Sequence, residues 1–306
     1  SPCDCPFGCS HSSQGWVGGP INSRTGNYHY SQQDVAIPAL GQDLYFERSY
    51  NVQTRDTYTT FLGYGWTHND ATRAVLPSMA GVESGRIIIQ ACRGSRFRFD
   101  DNGDDTFDPW PGVWATLTRT QSTPYTYTLT GVDQSTYLFD ATGQLAEIRG
   151  PEGHALRLSY TNDRLTRVAD ATDARYLTLT YNAAGRLVTV GDPLSRTIGY
   201  GYDAEGDDLA VVTDTRGITW TYTYTGAHLL RDVRDPLNHL VERTEYDAQG
   251  RAIRQWTGGA TTPMEIAYGS TVVITDALGH VTEDGYSIGG VLVAEADAAG
   301  SSTRSF

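Results

Sequence analysis

The sequence predicts an all-β protein in which antiparallel β-hairpins of 21 to 22 residues follow one another along the chain. First, a tyrosine recurs at that spacing through the second half, at Tyr160, Tyr181, Tyr202, Tyr224, Tyr246 and Tyr268. Second, the chain is rich in turn and half-buried aromatic residues, with 33 glycines and 19 tyrosines among 306 residues. Third, short runs alternate apolar and polar residues, as strands do. A fixed period indicates one unit whose copies stack to bury their apolar faces.

Three regions are predicted in chain order. Residues 1–18 form a polar tail rich in Cys, Gly and Ser, and residues 19–136 form a β-domain. In that domain, 28–39 and 43–51 alternate like strands, and the glycines of "GYGWTHN" (63–69) indicate a tight bend around buried aromatic residues. Further short strands are expected within 86–94, 95–100, 114–120 and 125–131.

The repeats occupy residues 137–306. Each copy begins with a strand that ends in the tyrosine, such as "LTLTYN" (177–182), and continues into a D/N-A-x-G turn in which Gly adopts positive φ. A return strand follows, such as "RLVTV" (186–190), and a turn such as "DPLSR" (192–196) closes the unit. Asp accepts backbone hydrogen bonds in such turns, and Pro fixes φ at the second position.

The recurring tyrosine is expected to pack on the next hairpin, with its hydroxyl reaching water or a backbone carbonyl. Six copies then form a ladder that holds neighbouring hairpins together. The alternative is that the ladder forms an aromatic platform for a carbohydrate or a peptide.

Two stretches of the chain resemble a known family. The runs "YNAAGRL" (181–187), "YDAEGDD" (202–208) and "YDAQGRA" (246–252) are similar to the tyrosine-aspartate (YD) repeat of Rhs proteins, teneurins and the C component of insecticidal toxin complexes. Residues 18–51 with "LGYGWTHN" (62–69) resemble the domain that precedes the repeats in many Rhs proteins.

The resemblance implies a long β-sheet that curves into a spiral, as in the hollow shells of that family. Such shells enclose a C-terminal toxin in Rhs and toxin-complex proteins and support adhesion in teneurins. We expect this chain to form a partial shell, because about seven repeats are too few to close one. We also expect it to be a segment of a longer polypeptide or a subunit completed by a neighbour.

Charge and composition exclude several function classes. The formal net charge of −13 disfavours nucleic acid and anionic membranes as partners. The chain contains no lysine, which excludes a Schiff-base lysine and a Walker lysine. No apolar run approaches the ~18 residues of a membrane-spanning helix, so no membrane insertion is expected.

The four cysteines are Cys3, Cys5, Cys9 and Cys92. Two disulfides are the favoured expectation, in an extracellular or cell-surface protein, and the connectivity stays open. A metal site formed by Cys3, Cys5, Cys9 and His11 and free thiols are the alternatives.

No motif of a catalytic site is present, and neither an enzymatic activity nor a cofactor is expected. His154, His239 and His280 recur with the repeat turns, and His68 is expected to be a hydrogen-bonded structural residue. The densest carboxylate group is a weak calcium candidate that departs from the EF-hand spacing, and a hairpin turn is the simpler interpretation. Its residues are Asp100, Asp101, Asn102, Asp104 and Asp105.

These observations favour a non-catalytic extracellular or cell-surface scaffold of the Rhs/YD type, with self-assembly and adhesion as its candidate roles. The expected partners are further copies of the chain or the rest of a longer chain, and a surface protein or glycan is a further candidate. One alternative is a shell segment of a polymorphic toxin that encapsulates a C-terminal effector. A carbohydrate-binding module or glycan-active enzyme is the remaining alternative.

Overall fold

A computed structural model describes residues 16–18, 20–38, 43–56, 61–79, 81–91, 94–124, 126–290 and 292–297. Throughout these residues the secondary structure is β-strand, apart from one short 3₁₀ helix (Val52–Thr54) and turns. Early in the chain lie the strands β1 (Trp16–Val17), β2 (Ile21–Asn22), β3 (His29–Ile37), β4 (Leu44–Asn51) and β5 (Trp66–His68). The strands β3, β4 and β5 form a small sheet in that order.

The chain divides into two compact units, each of which combines early segments with part of the repeats. Of the described residues, the first unit takes in those between 32 and 49 and between 67 and 199, and the second takes in those between 16 and 31, between 50 and 66 and between 200 and 297. Both units therefore draw on sequence from either side of residue 136. The predicted region boundaries after residues 18 and 136 stay predictions.

In the first unit the strands pair antiparallel with their neighbours in the chain, from β6 through β18. They are β6 (Arg73–Val75), β7 (Arg86–Gln90), β8 (Arg96–Asp101), β9 (Thr106–Pro109), β10 (Thr116–Arg119), β11 (Tyr127–Thr130), β12 (Thr136–Phe139), β13 (Leu145–Arg149), β14 (Ala155–Thr161), β15 (Arg164–Asp170), β16 (Tyr176–Tyr181), β17 (Leu187–Gly191) and β18 (Thr197–Tyr202), the last of which continues into the second unit. Inward-facing side chains such as Ile89, Phe99 and Leu129 are fully buried.

In the second unit the same pattern runs from β19 through β27. These strands are β19 (Leu209–Thr213), β20 (Thr219–Tyr224), β21 (Leu230–Arg234), β22 (Leu240–Tyr246), β23 (Ala252–Thr257), β24 (Met264–Tyr268), β25 (Val272–Thr275), β26 (Val281–Tyr286) and β27 (Leu292–Asp297). Leu209 and Ala252 are fully buried in this unit.

The predicted all-β fold of successive antiparallel hairpins is confirmed. Alternation with period two places one set of side chains inside and leaves the other partly exposed, as in β16, where Leu177 and Leu179 are buried between less buried neighbours. The bend at residues 63–69 also agrees with its prediction, because Gly63 and Gly65 adopt positive φ and Trp66 is buried. No helix among the described residues is long and apolar enough to cross a membrane.

Candidate functional site

The recurring tyrosine occupies an equivalent place in successive hairpins. A register shift in the sheet lies directly before Tyr160, Tyr181, Tyr224 and Tyr246. Each of these tyrosines pairs with the first residues of its return strand, as Tyr181 does with Leu187. A β-bulge bends its strand locally, and here it precedes each of these four rings. The bulge is not visible in the sequence, whereas the period is.

The tyrosine hydroxyls connect neighbouring hairpins. In five copies the hydroxyl donates a hydrogen bond to a carbonyl oxygen 15 or 16 positions earlier in the chain. The acceptor is the first or second residue of the previous return strand. The pairs are Tyr160 with Leu145, Tyr181 with Leu165, Tyr224 with Leu209, Tyr246 with Leu230 and Tyr268 with Ala252, at 2.5–2.9 Å. Tyr202 differs, because its hydroxyl donates to the carbonyl of Phe61 at 3.0 Å. The hydroxyls therefore act as structural donors.

Burial keeps these phenols protonated. It raises the pKa of Tyr181 and of Tyr268 well above its ordinary value, and a guanidinium over each ring acts weakly in the opposite direction. Arg251 lies 4.3 Å from the ring centroid of Tyr268. The six rings are only partly exposed, and their hydroxyls bind backbone carbonyls. The alternative of an aromatic platform for a ligand stays a hypothesis without support from this arrangement.

The aspartates of the repeat turns organise the turn backbone. Oδ1 of Asp192 accepts hydrogen bonds from the backbone N–H of Leu194 at 2.9 Å and of Arg196 at 3.0 Å. The same pattern recurs at Asp214, Asp235, Asp247 and Asp276. Burial alone would raise the pKa of such a carboxyl, but at Asp170 hydrogen bonds from Thr172 and Arg175 outweigh it and lower the pKa to about 2. These carboxylates are therefore charged and bound within their turns.

In the second unit, Trp66 is the centre of a buried aromatic cluster. Its ring contacts Tyr30, Tyr50 and Tyr222, with centroids 5.5–6.0 Å apart. Its indole N–H donates to the hydroxyl of Tyr224 at 2.7 Å. The hydroxyl of Tyr50 donates to the carbonyl of His228 at 2.6 Å. Tyr224 is thus hydrogen-bonded both to the neighbouring hairpin, through Leu209, and to the bend at residues 63–69, through Trp66.

A histidine–aspartate pair that sequence reasoning missed lies in the same unit. His228 adopts positive φ, stacks on the Tyr64 ring with centroids 3.9 Å apart, and places Nδ1 3.0 Å from Asp208. Burial raises the pKa of Asp208, and its bond to His228 opposes that shift. The Asp–His pair connects the turns of two successive hairpins, and the irregular spacing of these residues gave no sequence signal.

The first unit contains a buried carboxylate that was also missed. Asp70 is 4% exposed, and its Oδ2 has no hydrogen-bond partner among the described residues. Burial raises its pKa to about 7, and a hydrogen bond from Asn69 acts weakly in the opposite direction. Nearby His68 is buried and stacks on Phe46, and its Nδ1 lies 3.3 Å from the backbone N of Asp70. Burial lowers the pKa of His68 to about 4, which fits a structural role.

The calcium candidates lie around the hairpin between β8 and β9, and arginine binds several of them. Asp100 accepts hydrogen bonds from Arg86 at 2.9 Å and from the Trp110 indole at 2.8 Å, and the Arg86 bond is the main cause that lowers its pKa. Arg119 contacts Asp101 and Asp105 at 3.3 and 2.9 Å. Asp104 accepts from Thr106, and Asn102 donates to Thr106 and Asp108. A calcium ion would compete with guanidinium groups here, and the site stays a prediction.

The metal prediction can be compared with the described residues, whereas the disulfide prediction cannot. Within the described ranges, no group of three or more His, Cys, Asp or Glu side chains is placed to hold a metal ion. The four cysteines and His11 lie outside the described residues, so the disulfide and cysteine–metal hypotheses stay as sequence predictions.

Two family models match the chain. A model described as "Domain of unknown function (DUF6531)" matches residues 18–99. The model described as "RHS Repeat" matches residues 161–197 and 181–207.

Curated relatives and solved structures add more distant similarities. The tRNA3(Ser)-specific nuclease WapA of Bacillus spizizenii is 29% identical over 243 residues, which cover 79% of this chain and 9% of that protein. The tRNA(Glu)-specific nuclease WapA of Bacillus subtilis subsp. natto is 28% identical over 279 residues, 89% of this chain and 11% of that protein. The chain thus spans about a tenth of these relatives.

A crystal structure of TcdB2-TccC3-TEV is similar at 10% identity and a TM-score of 0.37, over 94% of this chain and 20% of that one. The resemblance inferred from the repeated tyrosine and from residues 18–51 agrees with both family matches. Residues 18–99 of this chain are therefore similar to the DUF6531 domain, and residues 161–207, farther along the chain, are similar to the RHS repeat.

Proposed function

We propose that this chain is a non-catalytic structural scaffold of the Rhs/YD type, which acts outside the cell or at its surface as part of a longer protein. The supporting observation is the repeated hydrogen bond from a tyrosine hydroxyl to a carbonyl near the start of the previous return strand, present in five copies. The most regular residue of the sequence is thereby used to join hairpins and not to bind a substrate.

The polar side chains of the repeats support the same function. Turn aspartates bind their own turn backbone, and His239 and His280 each bond the aspartate that opens their turn, at 3.0 and 2.8 Å. Because this pairing recurs with the turn, the histidines have a structural reason to be present. The net charge of −13 disfavours a nucleic acid partner for the chain itself.

A second candidate function is a shell segment of a toxin that delivers a C-terminal effector. The observation that favours it is the similarity to relatives named as tRNA nucleases, of which this chain covers about a tenth. On this hypothesis the nuclease activity of such a polypeptide lies in another segment, and the Rhs repeats form part of the enclosure. Further copies of the chain, or the remainder of the longer chain, would then be the partners.

Two experiments test the proposal. The purified chain is incubated with bulk tRNA, and we expect no cleavage; activity that co-purifies with the chain and survives a second purification would contradict the non-catalytic function. Electron microscopy of the native full-length polypeptide separates the two candidates. A closed particle that protects a C-terminal segment from protease indicates a toxin shell, whereas an open or fibrous assembly indicates a surface scaffold.

A further inference from the structure

A small cavity in the first unit lies beside the unpartnered oxygen of Asp70. Its volume is about 10 Å³, which is about the space that one water molecule needs. Early strands and turns contribute one wall of this cavity, and the repeat hairpins β12, β13 and β14 contribute the other. The lining residues are Asp43, Tyr45, Asn69, Asp70, Thr72, Tyr137, Ile148 and Leu156. Asp70 therefore lies in the corner after β5 (residues 69–72), where this segment packs on the repeat hairpins β12, β13 and β14.

The groups around Asp70 supply no compensating positive charge. His68 precedes it on the same segment and is neutral at pH 7, because burial lowers its pKa to about 4. From the hairpins, Tyr137 and Tyr160 face it with phenols whose pKa values burial raises, so both are uncharged. Tyr45 and the exposed Asp43 complete the polar lining, and no described arginine or histidine forms an ion pair with Asp70.

We infer that Asp70 is a proton-controlled latch between the corner after β5 and the repeat hairpins of the first unit. With a proton on the carboxyl group, a neutral side chain and one water molecule fill the cavity. Without the proton, an uncompensated charge lies in a buried site, where loss of hydration disfavours it strongly. Loss of the proton therefore weakens the packing of the corner on β12, β13 and β14.

The direction of the pH effect follows from linkage. The folded-state pKa of Asp70 is about 7, above the ordinary value of 3.8, so between these values the folded chain holds a proton that the unfolded chain has released. The contribution of Asp70 is complete below about pH 4 and is lost as the pH rises to about 7. His68 acts oppositely, because its folded pKa of about 4 lies below 6.5, and its contribution grows between those values. In the unaltered chain the two effects largely cancel.

The test compares unfolding equilibria of the unaltered chain and of Asp70→Asn from pH 4 to pH 8. The neutral amide cannot lose a proton, so the variant should gain stability relative to the unaltered chain as the pH rises. The ratio of the two unfolding constants should change by up to about tenfold per pH unit up to pH 7 and then stay constant. Parallel curves for the two proteins overturn the inference.

Two controls keep the result interpretable. Asp43→Asn removes the exposed carboxylate at the same cavity but keeps Asp70, so the protonated carboxyl band described below should persist in this variant. If Asp70→Asn does not fold, Asp70→Ser takes its place. Infrared spectra of the folded proteins at pH 5.5 supply a second readout: a protonated carboxyl band that either variant of Asp70 removes supports the latch. The same band intensity in variant and unaltered chain overturns it.

Discussion

Trp66 and Asp70 lie four positions apart in the chain, yet the two side chains enter different environments. The indole of Trp66 is buried in the second unit, and its polar atom donates a hydrogen bond to Tyr224. The carboxyl group of Asp70 is buried in the first unit, and one oxygen has no partner among the described residues. A bonded buried polar atom adds stability over a wide pH range, whereas an unpartnered acid makes stability depend on its proton.

The largest loss of stability is expected from removal of the Trp66 indole, the centre of the aromatic cluster. Trp66→Ala removes a side chain that is 1% exposed and leaves the Tyr224 hydroxyl without its indole donor, so we expect a loss of about 3–5 kcal/mol. The matched control is Trp114→Ala, because that indole is 67% exposed and should change stability by less than about 0.5 kcal/mol. Equal effects of the two substitutions in urea unfolding would contradict the packing described for Trp66.

A second prediction contrasts two turn glycines with nearly the same conformation. Gly143 and Gly206 have φ of 80° and 79°, but a Cβ on Gly143 would lie 2.0 Å from the carbonyl oxygen of Ala74, and one on Gly206 would meet no atom within 4 Å. Gly206→Ala should cost about 1–2 kcal/mol from backbone strain alone. Gly143→Ala should cost roughly 2–5 kcal/mol, since an overpacking clash of about 1–3 kcal/mol is added. A Gly143 variant as stable as the Gly206 variant would argue against close contact between that turn and β6.

The third prediction concerns the stability that the hydrogen bond of a ladder tyrosine hydroxyl contributes. Tyr246→Phe keeps the ring and removes the bond to the Leu230 carbonyl, so we expect a loss of about 1 kcal/mol, and up to about 3 kcal/mol if the carbonyl stays without a donor. Tyr176→Phe is the control, because the Tyr176 ring packs beneath Arg167 and its hydroxyl forms no hydrogen bond within the described ranges. Thermal unfolding of both variants measures the difference, and an unchanged Tyr246 variant would place its hydroxyl in solvent.

The smallest effect is expected at the turns, in acid. The folded pKa of Asp170 is about 2, below its ordinary value, so the unfolded chain binds the proton first as the pH falls. The contribution of this carboxylate is therefore present above about pH 4 and is lost as the pH falls towards 2. Because Asp170 is near the surface, solvent screens the effect. Asp170→Asn should flatten this part of the acid unfolding curve slightly, and a steeper curve would contradict the assignment.

Periodic features could be predicted from sequence, and single contacts could not. The spacing of Tyr160, Tyr181 and Tyr224 gave the hairpin length, and the turn aspartates gave the turn chemistry, because a repeated residue reports a repeated local environment. The bulge before four of the ladder tyrosines and the carbonyl that each hydroxyl reaches depend on how the strands pair in space. Asp208 with His228 gave no signal, since 20 residues separate two groups that only the fold brings together.

The all-β class, the unit of 21 to 22 residues and the positions of the turns follow from local sequence, because strand alternation, Gly with positive φ and Asp in turns act over a few neighbouring residues. Whether a buried polar atom finds a hydrogen-bond partner depends instead on contacts between distant parts of the chain. Trp66 finds one on a hairpin more than 150 residues away in sequence, and Asp70 meets a cavity. Desolvation depends on everything that surrounds a group in space, and no local pattern records that.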